Sequence, residues 1–360
     1  MMQFSCGTRI MAGSGAAAAL KEMDAKRLLV VTDPYFAKNG TAERIAALSG
    51  SPKWEIYDGV RPDPTVELAA EGTAKVKAFE PDLVVALGGG SAMDCAKAMV
   101  YFAESRARLV AIPTTSGSGS EVTDFSVLTH NGVKYPLVDP GIRPWAAILD
   151  DELLKELPPS LVADAGFDIL CHALEALAAK NAGAITDALA RDSFCAAFSA
   201  LPASFAGDQT VRLRIHTAAT MAGMAFSQAG LGVCHALAHS LGGLYHVPHG
   251  RLNAILLPAV VERNAPGAGY KYAQLARAAG LGGASEVMAL RNLKNALMGL
   301  RRQLRLPENL AQAGIAPAQL KQDREKIVTA ALADPCCRTN PVEVDREMVL
   351  QILDQVAGRG

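Results

Sequence analysis

The sequence has no excess of either charge. Its 35 Lys and Arg stand against 36 Asp and Glu, a formal net charge of −1 over 360 residues. A nucleic-acid binder would carry a clear basic surplus. An acidic, disordered scaffold would lack the 50% hydrophobic content present here. Long apolar runs are missing too, and none approaches the roughly 18 residues that span a bilayer. The first residues show no basic stretch followed by an apolar one, so no signal peptide is expected. Cysteine is sparse and unpatterned: residues 6, 95, 171, 195, 234, 336 and 337 form no Cys-x-x-Cys spacing. That argues against a disulfide frame and fits reduced thiols in a cytoplasmic protein. What remains is a soluble globule, too long for one hydrophobic core, so two domains and an enzyme are expected.

The first 150 residues alternate between short apolar runs and helical periodicity. Leu28–Thr32, Trp54–Tyr57, Leu83–Leu87 and Leu109–Pro113 read as strands. Leu83–Leu87 is apolar throughout, as a strand buried on both faces should be. Helical patterns at Glu67–Phe79 and Met93–Ala103 lie between them, and this alternation implies a parallel sheet covered on both sides. After Asp150 strand-like runs nearly vanish. Asp164–Lys180, Ile185–Ala200, Val211–Phe226 and Val233–Tyr245 look helical. Pro158-Pro159 supplies a stiff break, so the expected boundary lies near 155, with an α/β domain over 1–155 and an all-α domain over 156–360.

Gly88-Gly89-Gly90-Ser91 follows a buried strand and opens a helix. Such glycines let the backbone approach a phosphate, and a helix N-terminus favours the anion. Ser91 and Asp94 have the spacing of a capping box. Alone, the motif is equally a tight strand-to-helix turn. A second segment, Pro113 to Ser120, follows the next strand and is dense in hydroxyls and glycines; a linker would not sit directly behind a buried strand. The pattern differs from the usual GxGxxG fingerprint, because the candidate ribose acid, Asp33, precedes the glycines. Asp33 is also an ordinary turn residue before proline.

Asp168 and His172 are four apart on an expected helix and share one face. His235 and His239 repeat that spacing, and His249, between Pro248 and Gly250, is expected in the loop that follows. One histidine on an apolar helix is usually a satisfied core residue. Several histidines among Gly, Ala and Leu are costly to bury unless something organises them. A divalent ion does so, since imidazole and carboxylate suit zinc and iron alike. A metal beside a dinucleotide site suggests alcohol–aldehyde chemistry, with the ion as Lewis acid. There is no GxSxG, and Cys171 and Cys234 read as packing residues.

These residues together resemble the iron-containing alcohol dehydrogenase family over essentially the whole chain. The resemblance is carried by Gly88–Asp94, Ile112–Thr123, Asp168-x3-His172-Ala173-Leu174-Glu175, Gly230–His239 and His246-Val247-Pro248-His249-Gly250. Met221–Gly230, Ala330–Asp334 and Arg338–Pro341 resemble a branch that reduces short aldehydes with NADH inside a bacterial microcompartment. The resemblance implies an α/β dinucleotide-binding domain, a helical metal domain and an active site between them. It assigns Asp168, His172, His235 and His249 to the metal, Fe(II) in most members with Zn(II) as the alternative. It assigns His239 to a proton relay. Gly89, Gly90, Ser91 and Asp94 match the pyrophosphate loop, Thr114, Thr115, Ser118 and Lys134 match further dinucleotide contacts, and Asp33 matches the acid favouring NAD over NADP. It further implies a small aldehyde or alcohol substrate, a homodimer or assembly of dimers, and a microcompartment partner. One departure is Asp63 in Pro62-Asp63-Pro64, where many relatives carry Asn; it would reinforce selection against a 2′-phosphate or cap a turn. Two other readings stand beside this one: a lyase resembling 3-dehydroquinate synthase, which needs basic residues around the metal, and a catalytically silent metal-binding microcompartment component.

Overall fold

The computed structural model describes residues 4–130 and 133–358, which divide into two compact units at Leu157 and Pro158. Among its described residues the N-terminal unit carries eight strands: β1 (Arg9–Ala12), β2 (Arg27–Val31), β3 (Lys53–Tyr57), β4 (Leu83–Gly88), β5 (Arg108–Pro113), β6 (Phe125–His130), β7 (Val133–Val138) and β8 (Ala146–Leu149). Its helices are α1 (Pro34–Lys38), α2 (Thr41–Leu48), α3 (Val66–Phe79) and α4 (Gly90–Phe102). Six strands form one sheet in the order β1-β8-β5-β4-β2-β3, with every pairing parallel. β6 and β7 form a separate antiparallel ribbon.

Alternation along the strands divides the apolar side chains between two cores. Leu28, Val30, Leu83, Val85, Leu87, Val110 and Ile112 face one side. Leu29, Val31, Val84, Ala86 and Ala111 face the other, where Met93, Ala96 and Met99 of α4 cover them. From β2 the chain steps outward to β3, then returns past β2 to β4 and continues the opposite way. The order of connection therefore reverses between β2 and β4, the position where open parallel sheets leave a crevice at their carboxyl ends. Asp33 follows β2 and Gly89 follows β4, so both stand at that reversal.

The C-terminal unit is helical among its described residues: α5 (Pro159–Ala178), α6 (Ala184–Phe205), α7 (Arg212–Ala229), α8 (Val233–Tyr245), α9 (His249–Ala278), α10 (Glu286–Gln303), α11 (Pro317–Ala333) and α12 (Arg346–Val356). Pro159 starts α5 at a position where a missing N–H is harmless. From Val162 to Ala178 α5 is buried almost all round, as expected of a helix packed centrally among others. α9 contains Pro258, which cannot donate to the Ala254 carbonyl four residues back. Arg301 of α10 reaches across and donates to the Ala254 and Ile255 carbonyls at 3.3 and 3.4 Å. No described helix is long and apolar enough to cross a membrane.

Two local expectations need correction. His249 is not in a loop: it is the first residue of α9, with Pro248 as N-cap. α8 ends at Tyr245, where the left-handed backbone of its C-cap His246 breaks the helix, and Pro248 immediately sets up the next one. Ser91 and Asp94 form no capping box either. α4 begins two residues earlier than that box requires, at Gly90, with Gly89 as N-cap and no side-chain cap; the Asp94 carboxylate instead accepts from the Ser120 hydroxyl at 3.0 Å.

Candidate metal centre and cofactor cradle

Four residues of α5 lie along one face at helical spacing: Asp164, Asp168, His172 and Glu175, all buried. Asp168 is the point of convergence. His172 Nδ1 lies 3.9 Å from Asp168 Oδ1, His235 Nε2 3.8 Å and His249 Nε2 3.5 Å. Three imidazoles from α5, α8 and α9 thus meet one carboxylate oxygen. Donor atoms of Asp168, His172 and His235 also lie within 4.8 Å of one another. The rings are stacked around the same point, His172 on His235 with centroids 4.5 Å apart and His239 on His249 at 5.3 Å.

His235, Asp168 and His249 are each held from behind. Glu175 Oε2 lies 2.6 Å from His235 Nδ1, and the same carboxylate accepts from the backbone N–H of Gly232 and Cys234. It therefore caps α8 and orients His235 at once, leaving His235 Nε2 aimed at Asp168. That nitrogen is buried with no hydrogen-bond partner. Asn340 completes the cap by accepting from Val233 N. Asn253 donates to Asp168 Oδ1 at 2.8 Å. His249 is placed by close packing: an added Cβ at Gly250 would sit 1.9 Å from the Asp164 carbonyl oxygen, and Arg251 grips the Asp164 carboxylate with two hydrogen bonds.

The charges fit a cation. Burial alone would raise the Asp168 carboxyl, yet the facing His172, His249 and His235 rings hold it well below the usual carboxylate range. Burial opposes protonation of His235, but Asp168 and Glu175 raise it to about 10. A divalent ion at the convergence point supplies the same positive charge without protons, and its carboxylate–imidazole ligand set is ordinary for iron or zinc. An orphaned buried nitrogen and a Glu-backed histidine are what such an ion requires. The thiol of Cys171 approaches His235 Nδ1 to 3.7 Å, but Glu175 is closer, and burial raises the Cys171 thiol well above its ordinary value.

His239 sits one turn beyond His235 on α8. Its Nδ1 lies 2.8 Å from Asp334 Oδ2. Burial would raise the Asp334 carboxyl, but the hydrogen bond from His239 brings it down to about 2. Asp334 is thus an anion that fixes the ring with Nδ1 bound and Nε2 directed away.

In the N-terminal unit, Gly89, Gly90, Thr115 and Ser118 come together. An added Cβ at Gly89 would meet Thr115 Oγ1 at 3.2 Å, and one at Gly90 would meet Ser118 Cβ at 3.3 Å. The two glycine-rich loops therefore form one cradle, and a side chain at either glycine would fill it. The N-terminus of α4, with Ser91 in its first turn, opens there without a side-chain cap. Thr114 extends the pairing by donating its N–H to Gly88 O. Asp33 caps α1 through Oδ1, which accepts from Tyr35 N and Phe36 N. Its Oδ2 faces Gly88, 3.9 Å from where a Cβ would be. Lys134 on β7 is held by Asp63 at 2.7 Å, so the departure at Asp63 partners a residue expected at the dinucleotide. Residues that fit a phosphate loop and a ribose acid are present at the sheet reversal, so a dinucleotide fits this unit.

Glu175, Asp334, Asn253 and Asn340 were assigned no role from the sequence. Glu175 had a readable signal, since it stands seven residues after Asp168 and so on the same helical face. The others come from distant segments and had none.

A phosphate cradle at the reversal of a parallel sheet and a histidine–carboxylate ion site, in one chain, define a metal-dependent, dinucleotide-linked oxidoreductase. Comparison with known proteins gives the family. Residues 7–151 match the model for iron-containing alcohol dehydrogenase, and residues 162–357 match the C-terminal model of the Fe-containing alcohol dehydrogenase family. The chain belongs to the iron-containing alcohol dehydrogenase family. It is 38% identical to 1-propanol dehydrogenase PduQ of Salmonella typhimurium, over 99% of this chain and 100% of that one. It is 34% identical to an NADPH-dependent butanol dehydrogenase of Clostridium saccharobutylicum, over 99% and 98%. Among solved structures, an iron-containing alcohol dehydrogenase from Thermococcus thioreducens has a TM-score of 0.91 at 33% identity, covering 98% of this chain and 99% of that one. A 1,3-propanediol oxidoreductase has a TM-score of 0.93 at 30% identity, covering 99% and 100%. The lyase reading required basic residues about the ion; Arg251, beside His249, is committed to Asp164.

Proposed function

We propose that this enzyme interconverts short aldehydes and alcohols, with propanal and 1-propanol as the leading pair and NAD(H) as the dinucleotide. The observation that carries the reading is the convergence of three imidazole nitrogens, within 3.5 to 3.9 Å, on one oxygen of Asp168. Asp168, His172, His235 and His249 hold the ion, Fe(II) or Zn(II). Gly89, Gly90, Ser91, Thr114, Thr115 and Ser118 cradle the pyrophosphate, with Asp94 and Lys134 beside them. The bound ion supplies Lewis-acid polarisation of the substrate oxygen, and the nicotinamide supplies or accepts the hydride.

The protein's own residues do the rest. Glu175 keeps His235 in the tautomer whose Nε2 faces Asp168. Asp334 holds His239 by Nδ1, so Nε2 is the atom that exchanges a proton with the substrate oxygen. Asp33 accepts from a ribose 2′-hydroxyl through Oδ2 and repels a 2′-phosphate. The names of the two relatives, one acting on 1-propanol and one on butanol with NADPH, support a short-chain substrate. Likeness to PduQ supports cytoplasmic residence as a dimer or assembly of dimers, with placement inside a microcompartment.

The test is oxidation of NADH by propanal before and after chelation. Activity should vanish on removal of the metal and return with Fe(II) or Zn(II). Full turnover by enzyme shown to be metal-free would overturn the reading, as would binding of metal and NADH with no turnover of any short aldehyde.

A further inference from the structure

Lys97 is wholly buried in α4, two turns beyond the cradle glycines. A buried lysine is costly unless its ammonium is fully partnered. Here it is: Nζ donates to Ser120 Oγ at 3.0 Å, Thr123 Oγ1 at 3.0 Å and the Phe125 carbonyl at 2.8 Å. All three N–H groups are used, so Lys97 binds no ligand of its own. Its partners are consecutive parts of one strap, the segment that leaves the second glycine-rich loop. Asp94, three residues earlier on α4, holds the same strap: it accepts from Ser120 Oγ, and its backbone carbonyl accepts from Ser126 Oγ at 2.8 Å. Ser118, whose side chain borders Gly90, accepts from Ser120 N. The chain of contacts therefore runs from the ammonium through Ser120 to the wall of the cradle.

We propose that Lys97 is a positioning residue for the dinucleotide, tying the strap at Ser120–Phe125 to α4 so that Ser118 and Thr115 stay against Gly89 and Gly90. The inference rests on the reading that these two loops bind the pyrophosphate. An untied second loop would have to be ordered at the moment of binding, which weakens affinity without touching the ion site. The tie is also titratable. Burial lowers the Lys97 ammonium to about 8, against the pull of Asp94, Glu121 and Asp124, with Arg143 adding to the lowering. Lys134 faces Asp94 from β7. Neutral Lys97 keeps one fewer N–H for its three acceptors, so the strap loosens as pH rises through about 8.

The experiment is titration of metal-loaded enzyme with NADH, read by nicotinamide fluorescence. Lys97→Met should raise the Kd for NADH by about tenfold or more, as expected for losing hydrogen bonds to a charged group. Its metal content should stay at the wild-type level, and KM for NADH should rise by more than kcat falls. In the wild type, affinity should decline between about pH 7 and 9.5, and that decline should be absent in Lys97→Met. If Lys97→Met does not fold, Ser120→Ala and Thr123→Val, which each remove one acceptor, carry the same test. A Kd within about twofold of wild type in the folded variants, with the pH trend intact, overturns the proposal. Gly90→Val separates this from the underlying reading. Lost NADH binding in Gly90→Val with normal binding in Lys97→Met defeats the role of Lys97 alone. Normal binding in Gly90→Val defeats the cradle reading and the proposal with it.

Discussion

The cradle in the N-terminal unit is made of backbone and hydroxyls: Gly89, Gly90, Thr115 and Ser118. The centre in the C-terminal unit is made of side chains on three helices, backed by Glu175, Asn253 and Asp334. A diffuse, hydrated anion is well served by amides and a helix end. A compact cation needs a fixed set of lone pairs at one point. The two sites should therefore fail differently. The ion site should fail whenever a helix shifts or an orienting group is lost. The dinucleotide site should tolerate the loss of polar side chains better than the addition of a methyl group.

The sharpest way to break this contrast is Gly250→Ala, because here the side-chain site depends on a glycine. The new Cβ would fall 1.9 Å from the Asp164 carbonyl oxygen, so α9 must back away from α5 and take His249 with it. Overpacking of this kind costs about 1–3 kcal/mol, and elemental analysis should show most of the metal lost. Retained metal with an unchanged melting temperature would mean that the approach of α9 to α5 is not what sets His249.

Glu175→Gln should have a smaller effect. The amide oxygen can still accept from one of the Gly232 and Cys234 N–H groups, which bond to different oxygens of the carboxylate, but it no longer bears the charge that holds His235. Metal affinity should fall about 10- to 100-fold, measured by competition with a chelator, and the protein should remain folded. Unchanged affinity would remove Glu175 from the account of the ion site.

Asp33→Gly should have the mildest effect, confined to the N-terminal unit. Selectivity for NADH over NADPH should drop, chiefly by improved use of NADPH, because no carboxylate faces the 2′-phosphate. Steady-state comparison of the two dinucleotides reads it directly. Unchanged NADPH kinetics would leave Asp33 as the cap of α1 and nothing more.

The contrast also explains what could be read from sequence. β2, β4 and β5 were legible because strands buried on both faces are continuous apolar runs, and the edge strand β3 was legible only as the short run Trp54–Tyr57. β1 and β8 were not, because Arg9–Ala12 and Ala146–Leu149 are too short to show a period and are fixed by pairing with each other. Asp168 and His172 could be paired by helical spacing. His249 could be named but not placed: flanking Pro248 and Gly250 read as a loop, whereas Pro248 starts a helix and Gly250 lets it touch α5. The start of α4 was misplaced because Ser91 and Asp94 have capping-box spacing, yet Ser120, from a later segment, claims the Asp94 carboxylate. Lys97 and Asp334 act through partners 23 to 95 residues away, a range over which spacing carries no signal.

The central claim is that one ion is held by Asp168, His172, His235 and His249. Anomalous scattering from a crystal of the metal-loaded enzyme, collected at the metal edge, tests it most directly. A single peak within bonding distance of all four side chains is the predicted result. A peak instead among His239, Asp334 and Cys336, whose donor atoms also lie within 4.8 Å of one another, would contradict it.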